Sequence, residues 1–243
     1  MVSLSIKELR HKLQRTAPEG ASETYVGKSV RFFSIYLTKA VSATRATPNQ
    51  ITFLGVLIFL SGVSVFLFRS YALNFLGVAL IYVSIIFDAA DGEVARLKGN
   101  QSGIGGSYVE PLSHDFQYAL MFIPLTLSVY ISTSEVVIVY VGFAATVFKL
   151  LHRFLTIRFE HVFMMKNGTS RDAIGSDEKY ISLPHKIYKF FNRNIFSSVG
   201  LPIPLLVFVI LDRVDLFIWF FAIGFFVIFA ANFAYQMKYI IKH

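Results

Sequence analysis

The chain has 243 residues, of which 55% are hydrophobic and only 16% charged; with 26 Phe and a mean hydropathy of +0.58, it excludes an ordinary water-soluble domain, where about a quarter of residues are charged. It contains no cysteine, which removes disulfide frameworks, thiolate zinc sites, iron–sulfur clusters and cysteine nucleophiles together. In so apolar a chain, a net charge of +8 points to basic cytoplasmic loops or an anionic substrate rather than to nucleic acid.

Residues 1–46 form a basic N-terminal segment with Lys7, Arg10, Lys12, Arg15, Lys28, Arg31, Lys39 and Arg45, and no apolar run of signal-peptide length near Met1. From Val30 to Val41 basic residues mix with Phe32, Phe33, Ile35, Tyr36 and Leu37. That pattern predicts an amphipathic helix lying at the membrane interface. Residues 47–243 then carry six apolar stretches: Ile51–Phe68, Tyr71–Phe87, Val109–Ile131, Val136–Leu155, Ile195–Leu211 and Leu216–Tyr239. Each is near the roughly 20 residues a helix needs to cross the hydrocarbon layer. The runs are too continuous for the alternation of a barrel, so the expected fold is all-α, an integral membrane bundle of six helices. Thr47 and Pro48 supply a cap and a first helical position. Pro111, Pro124, Pro202 and Pro204 predict kinks in the third and fifth spans.

Six spans place both termini on one side, with Lys98 and the segment from Arg158 to Arg193. That side also holds Lys166, Arg171, Lys179, Lys186, Lys189, Lys238 and Lys242, against Arg69 and Arg213 opposite. The bias makes the termini cytoplasmic, in a multi-pass protein of the cell's inner membrane. Asn167-Gly168-Thr169 matches a glycosylation acceptor but falls on the cytoplasmic side, and His11, His161, His185 and His243 show no ligand spacing.

Charges within the spans carry the chemistry, each costing roughly 2.5–3.5 kcal/mol at mid-bilayer on translocon scales. Asp88 and Asp91, three apart, share a helix face at the end of the second span, with Gly92, Ala95 and Arg96 continuing near it. Gly106, Glu110 and His114 step by four along the third span. A short Gly-rich turn lets the two helices run antiparallel with these faces opposed. Carboxylates so close repel unless protons, arginine or metal ions compensate, and two aspartates with a glutamate suit hard divalent cations. Arg96 suits a phosphate or carboxylate. The expectation is a metal-assisted site for a phosphorylated, partly lipidic substrate at the cytoplasmic interface.

Asp88-x-x-Asp91-Gly92-x-x-Ala95-Arg96, followed by Gly106-x-x-x-Glu110-x-x-x-His114, resembles the signature of the CDP-alcohol phosphotransferases, D-x2-D-G-x2-A-R-x8-G-x3-D-x3-D. Thr47-Pro48-Asn49-Gln50-Ile51-Thr52 resembles the T-P-N-x-[IL]-T opening of the family's first span. The second half departs from the pattern: nine residues separate Arg96 from Gly106, and Glu110 and His114 replace the third and fourth aspartates. Starting from Gly105 restores the spacing but puts Val109 and Ser113 at the acid positions.

The resemblance implies transfer from a CDP-alcohol, CDP-diacylglycerol foremost, to a small alcohol acceptor with release of CMP, in phospholipid or related biosynthesis. It implies a pair of Mg2+ or Mn2+ ions on Asp88, Asp91 and Glu110, a CDP site of Gly92, Ala95, Arg96 and Gly106, and a homodimer among membrane lipids. His114 is then the base or a further metal ligand. An unperturbed histidine, pKa about 6.5, accepts a proton at neutral pH. Asp115 is the rival for the base; about 100° further round the helix, it turns toward a neighbouring span where a basic residue can pair with it. Lys149 and Arg153, four apart on the fourth span, suit an anionic acceptor or ordinary headgroup anchoring. Two other readings use the same residues: a transporter with a cation pathway through the acids, and a family member with altered chemistry.

Overall fold

The computed structural model describes residues 5–14, 24–99, 104–168, 190–192 and 194–242, which form helices and turns with no strand among them. Outside these residues lie Arg15, Arg171, Lys179, Lys186, Lys189, Arg193, His185, His243, Thr169 and residues 100–103 of the turn between the acid-bearing helices.

Two helices precede the bundle. α1 (Ile6–Leu13) opens on a capping box in which Ser5 Oγ accepts from the Glu8 amide and the Ser5 amide donates to Glu8. α2 (Tyr25–Ser42) buries Val26, Val30, Ser34, Ile35 and Thr38 and exposes Phe32, Phe33 and Tyr36 on its other side. The basic Val30–Val41 stretch is therefore helical and two-faced, and it packs along the fourth helix.

α3 (Pro48–Val65) starts where the sequence places it. Thr47 Oγ1 accepts from the Gln50 amide, Gln50 answers to the Thr47 amide, and Pro48 occupies the first turn, where no partner for its missing N–H is needed. A 3-10 turn over Phe66–Phe68 and Arg69 in the left-handed region (φ 53°) reverse the chain. α4 (Tyr71–Lys98) runs 28 residues, about 42 Å, well beyond a hydrocarbon layer of about 30 Å. The whole Asp88–Arg96 motif thus rides on one continuous helix that stops at Gly99 (φ 71°). α3 and α4 touch closely: a Cβ on Gly62 would lie 3.0 Å from the Gly77 carbonyl, and one on Gly77 would lie 2.8 Å from the Gly62 carbonyl. Small residues at a membrane-helix crossing allow such backbone approach.

α5 (Ile104–Thr133) stays helical through Pro111 and Pro124, and α6 (Val136–Asn167) is 32 residues long. The predicted fifth span is different. Residues 195–201 are turns, and only α7 (Pro202–Ile210), nine residues or about 14 Å, is α-helical. Pro202 and Pro204 lack the N–H groups that would bond the carbonyls of the preceding turn, so they begin a helix rather than kink one. α8 (Val214–Lys242) completes the chain.

Among the described residues, five helices are long and apolar enough to span a membrane: α3 with its 3-10 turn, α4, α5, α6 and α8. Their shared core is aromatic, with Phe122, Phe217, Phe221 and Phe225 buried and the Phe217 and Phe221 rings 4.5 Å apart. Phe53 (63% exposed), Phe143 (69%) and Phe68 (71%) face outward, an apolar exterior that only lipid or another apolar surface satisfies.

Candidate active site

The site forms where the far end of α4 meets the first half of α5. Asp88 and His114 meet across that contact, with His114 Nε2 2.8 Å from Asp88 Oδ1 and both side chains about three-quarters buried (24% and 22% exposed). An ionised carboxylate only accepts, so in a neutral ring a hydrogen on the nitrogen facing Asp88 would leave the lone pair on Nδ1. Asp91, one turn further along α4, is 4% exposed and accepts from Thr52 Oγ1 of α3 at 2.5 Å. Glu110 is exposed one turn before His114. Asp88, His114 and Arg96 are its charged neighbours, and Asp91 in turn feels Asp88 and Glu110. Five of the predicted residues, Asp88, Asp91, Arg96, Glu110 and His114, therefore share one electrostatic neighbourhood.

Arg96 is half-buried and folds back along α4; a Cβ on Gly92 would lie 3.5 Å from its Nη1. Its Nε donates to the Leu13 carbonyl at 3.1 Å. Ala95 is partly buried beside it, and Gly106 lies in the first turn of α5.

Asp115 turns to α6, where Arg153 Nε donates to its Oδ1 at 2.9 Å. Lys149, one turn below, does not face the carboxylates. It is 7% exposed, donates from Nζ to the Phe196 carbonyl at 3.1 Å and sits 4.0 Å from the centre of the Tyr118 ring. The Tyr118 hydroxyl and Ser198 are hydrogen-bond partners. Lys149 and Tyr118 thereby serve the irregular segment before α7, whose backbone groups need partners at membrane depth.

Thr52 and Glu93 stand out among residues that sequence reasoning left without a role. Thr52 was legible only as a motif letter. Glu93, at a variable position inside the signature, is 1% exposed and accepts from Ser34 Oγ and Thr38 Oγ1, each at 2.7 Å, and from Gln14 Nε2 at 2.8 Å. A carboxylate followed by two small apolar neighbours carries no sign of that burial.

The donor set suits a hard divalent ion in kind, since three carboxylates gather on facing helices. Among the described residues no three His, Asp or Glu side chains form a group that could hold one ion by themselves. Mg2+ commonly takes one or two carboxylates and completes its shell with water and substrate phosphate, which this arrangement permits.

A family model described as CDP-alcohol phosphatidyltransferase matches residues 45–190, more than half of the chain. The chain belongs to that family. The match takes in α3 to α6 and, of the site residues and their partners, all except Leu13, Gln14, Ser34, Thr38, Phe196 and Ser198. The chain is also 28% identical over 158 residues to a protein of Thermococcus kodakarensis named bifunctional IPC transferase and DIPP synthase, a stretch covering 65% of this chain and 35% of that one. It thus spans about a third of that relative's length. The Asp-x-x-Asp-Gly-x-x-Ala-Arg helix is the part of the family pattern that the chain keeps at every fixed position.

Proposed function

We propose that the protein moves a phosphoalcohol group, phosphatidyl in the first instance, from a CDP-alcohol to an acceptor hydroxyl, releasing CMP in phospholipid or related biosynthesis. The observation that carries this reading is the Asp88–His114 pair, which joins the two halves of the motif across α4 and α5.

Asp88, Asp91 and Glu110 would hold one or two Mg2+ or Mn2+ ions, whose charge offsets that of the pyrophosphate. Thr52 fixes Asp91 from α3, leaving its second oxygen for that task. Gly92, Ala95 and Gly106 leave room for the nucleotide beside the helices, and the Arg96 terminal nitrogens hold phosphate oxygens. The acceptor oxygen bonds to the phosphorus that carries the donor's alcohol. The bond from that phosphorus to the CMP phosphate oxygen breaks, and CMP leaves with the electron pair. His114, oriented by Asp88 through Nε2, takes the acceptor proton on Nδ1. Arg153, steadied by Asp115 and backed by Lys149, forms the positive rim of the acceptor side and suits an anionic acceptor such as a polyol phosphate.

The segment from Phe196 to Ile210 supports a sixth crossing. Its start bonds Lys149 near the site, and the Ile210 carbonyl accepts from Tyr71 at the opposite end of α4. Six crossings would keep both termini with the active site on the cytoplasmic side of the cell membrane, α2 at the interface, and a homodimer as its assembly.

The test is purified protein with Mg2+ or Mn2+, a panel of CDP-alcohols led by CDP-diacylglycerol, and a panel of alcohols and polyol phosphates. CMP should appear only when donor, acceptor and metal are all present, and should vanish with excess chelator or in Asp88→Asn. Undiminished CMP release in chelator would remove the metal from the mechanism.

A further inference from the structure

At eight residues, α1 falls well short of the ~12–15 residues at which an isolated helix holds in water. Docking sustains it. Leu9 and Leu13 are buried against Ile35 of α2, with Leu97 of α4 at the edge. The last turn of a helix ends in carbonyls without intrahelical partners, and here two arginines take them. Arg96 Nε donates to the Leu13 carbonyl at 3.1 Å, and Arg31 Nη1 to the Gln14 carbonyl at 3.0 Å. The Gln14 side chain donates in turn to Glu93 Oε1 at 2.8 Å. Glu93, with Ser34 and Thr38 on its oxygens as well, is a buried carboxylate whose three partners all precede the bundle in sequence.

The helical period divides the labour on α4. Glu93 stands about 200° round from Asp91, on the side away from the carboxylate cluster, while Arg96 lies between the two faces. Held by Nε, the Arg96 guanidinium lies beside Gly92, where an added Cβ would lie 3.5 and 4.0 Å from its two terminal nitrogens. An unpinned arginine has rotamer entropy to lose when it grips a ligand. Ordering it beforehand removes that cost from binding.

We propose that α1, anchored through Gln14 and Glu93, positions Arg96 for the donor's phosphates. Gln14 and Glu93 are positioning residues that touch no substrate. The proposal rests on the reading of Arg96 as a donor-binding residue, and the experiment separates the two.

The probe is CDP with Mn2+, titrated calorimetrically into the full-length protein in detergent. Leu13→Asp places a carboxylate in the buried α1 cluster and should undock the helix. Trypsin should then cut faster at Lys7, Arg10 and Lys12, the bundle should melt as before, and CDP should bind roughly tenfold more weakly, the worth of one ordered charge-assisted hydrogen bond. Gln14→Ala, which removes the side-chain links to Glu93 and to the Arg31 carbonyl but leaves the apolar docking of α1, should do the same in smaller measure and serves if Leu13→Asp does not fold. Glu93→Gln keeps one acceptor oxygen and should bind CDP more tightly than Glu93→Ala. A variant with faster cutting in α1 and unchanged CDP affinity would overturn the proposal, and so would a Leu13→Asp protein cut no faster than the parent. Arg96→Ala decides the underlying reading: wild-type affinity there removes both, whereas weak binding beside a normal Leu13→Asp removes the positioning role alone.

Discussion

Thr52 and Asp91 form the shortest polar contact of the site, and Asp91 is too deeply buried for water to replace the hydroxyl. Removing one partner of a buried polar pair typically costs about 1–3 kcal/mol. Thr52→Val should therefore raise the Mn2+ concentration needed for half-maximal CMP release several-fold, and Thr52→Ser should restore it; a metal titration of the three proteins checks this. His114 and Asp115 divide in the same way. His114→Ala should lower kcat by roughly 10²–10⁴-fold, the usual range for a lost general base. Asp115→Asn frees Arg153 and should change chiefly the acceptor KM. Steady-state kinetics with a dead Asp115→Asn and an active His114→Ala would reverse the roles. At this scale the sequence showed half of the arrangement. The four-residue step from Gly106 placed His114 and Asp115 on different sides of one helix, and the structure puts them against α4 and α6 respectively. It gave no hint of Thr52 on Asp91, 39 residues away, or of Ser34 and Thr38 on Glu93, 59 and 55 residues away, because such partners follow from packing, not from period.

The long helices were legible because 18 or more apolar residues in succession leave a chain few alternatives. Their ends were less so: α4 continues from Phe87 to Lys98 through the charged motif, since Asp, Gly and Glu there are held by neighbours that hydropathy does not see. The fifth stretch is only partly helical, for a physical reason. Ile195–Leu211 is as apolar as a span, but two prolines and Gly200 leave only Pro202–Ile210 helical. The carbonyl freed at Phe196 is bound by Lys149, so that lysine belongs to the element's architecture as much as to any ligand. Lys149→Met should lower the melting temperature with or without acceptor present, by an amount matching about 1–3 kcal/mol. Lys149→Arg should recover part of it. A melting temperature equal to the parent's would mean that the ammonium serves substrate alone.

At the scale of the whole molecule, the outward Phe and Tyr residues and the five long helices fix a membrane setting, and the distribution of charge proposes its orientation. The native chain has no cysteine, so single cysteines can be introduced without background. Cysteine in place of Lys7 and of Lys238 should react with an impermeant maleimide from the same side of sealed vesicles, and cysteine in place of Arg69 from the other. Labelling of Lys7 and Lys238 positions from opposite sides would leave five crossings, with α7 folded back on itself.

The backbone contact of Gly62 with Gly77 carries one more consequence. From that point Thr52 lies about 15 Å along α3 and Asp91 about 21 Å along α4, at 1.5 Å per residue. The contact is a fulcrum and the two helices are its arms. A methyl group wedged there, where Gly77 already has the Phe66 ring against it, would splay the arms and lift Thr52 from Asp91. A change deep in the lipid layer, remote from any substrate, would then be felt as a fault in catalysis.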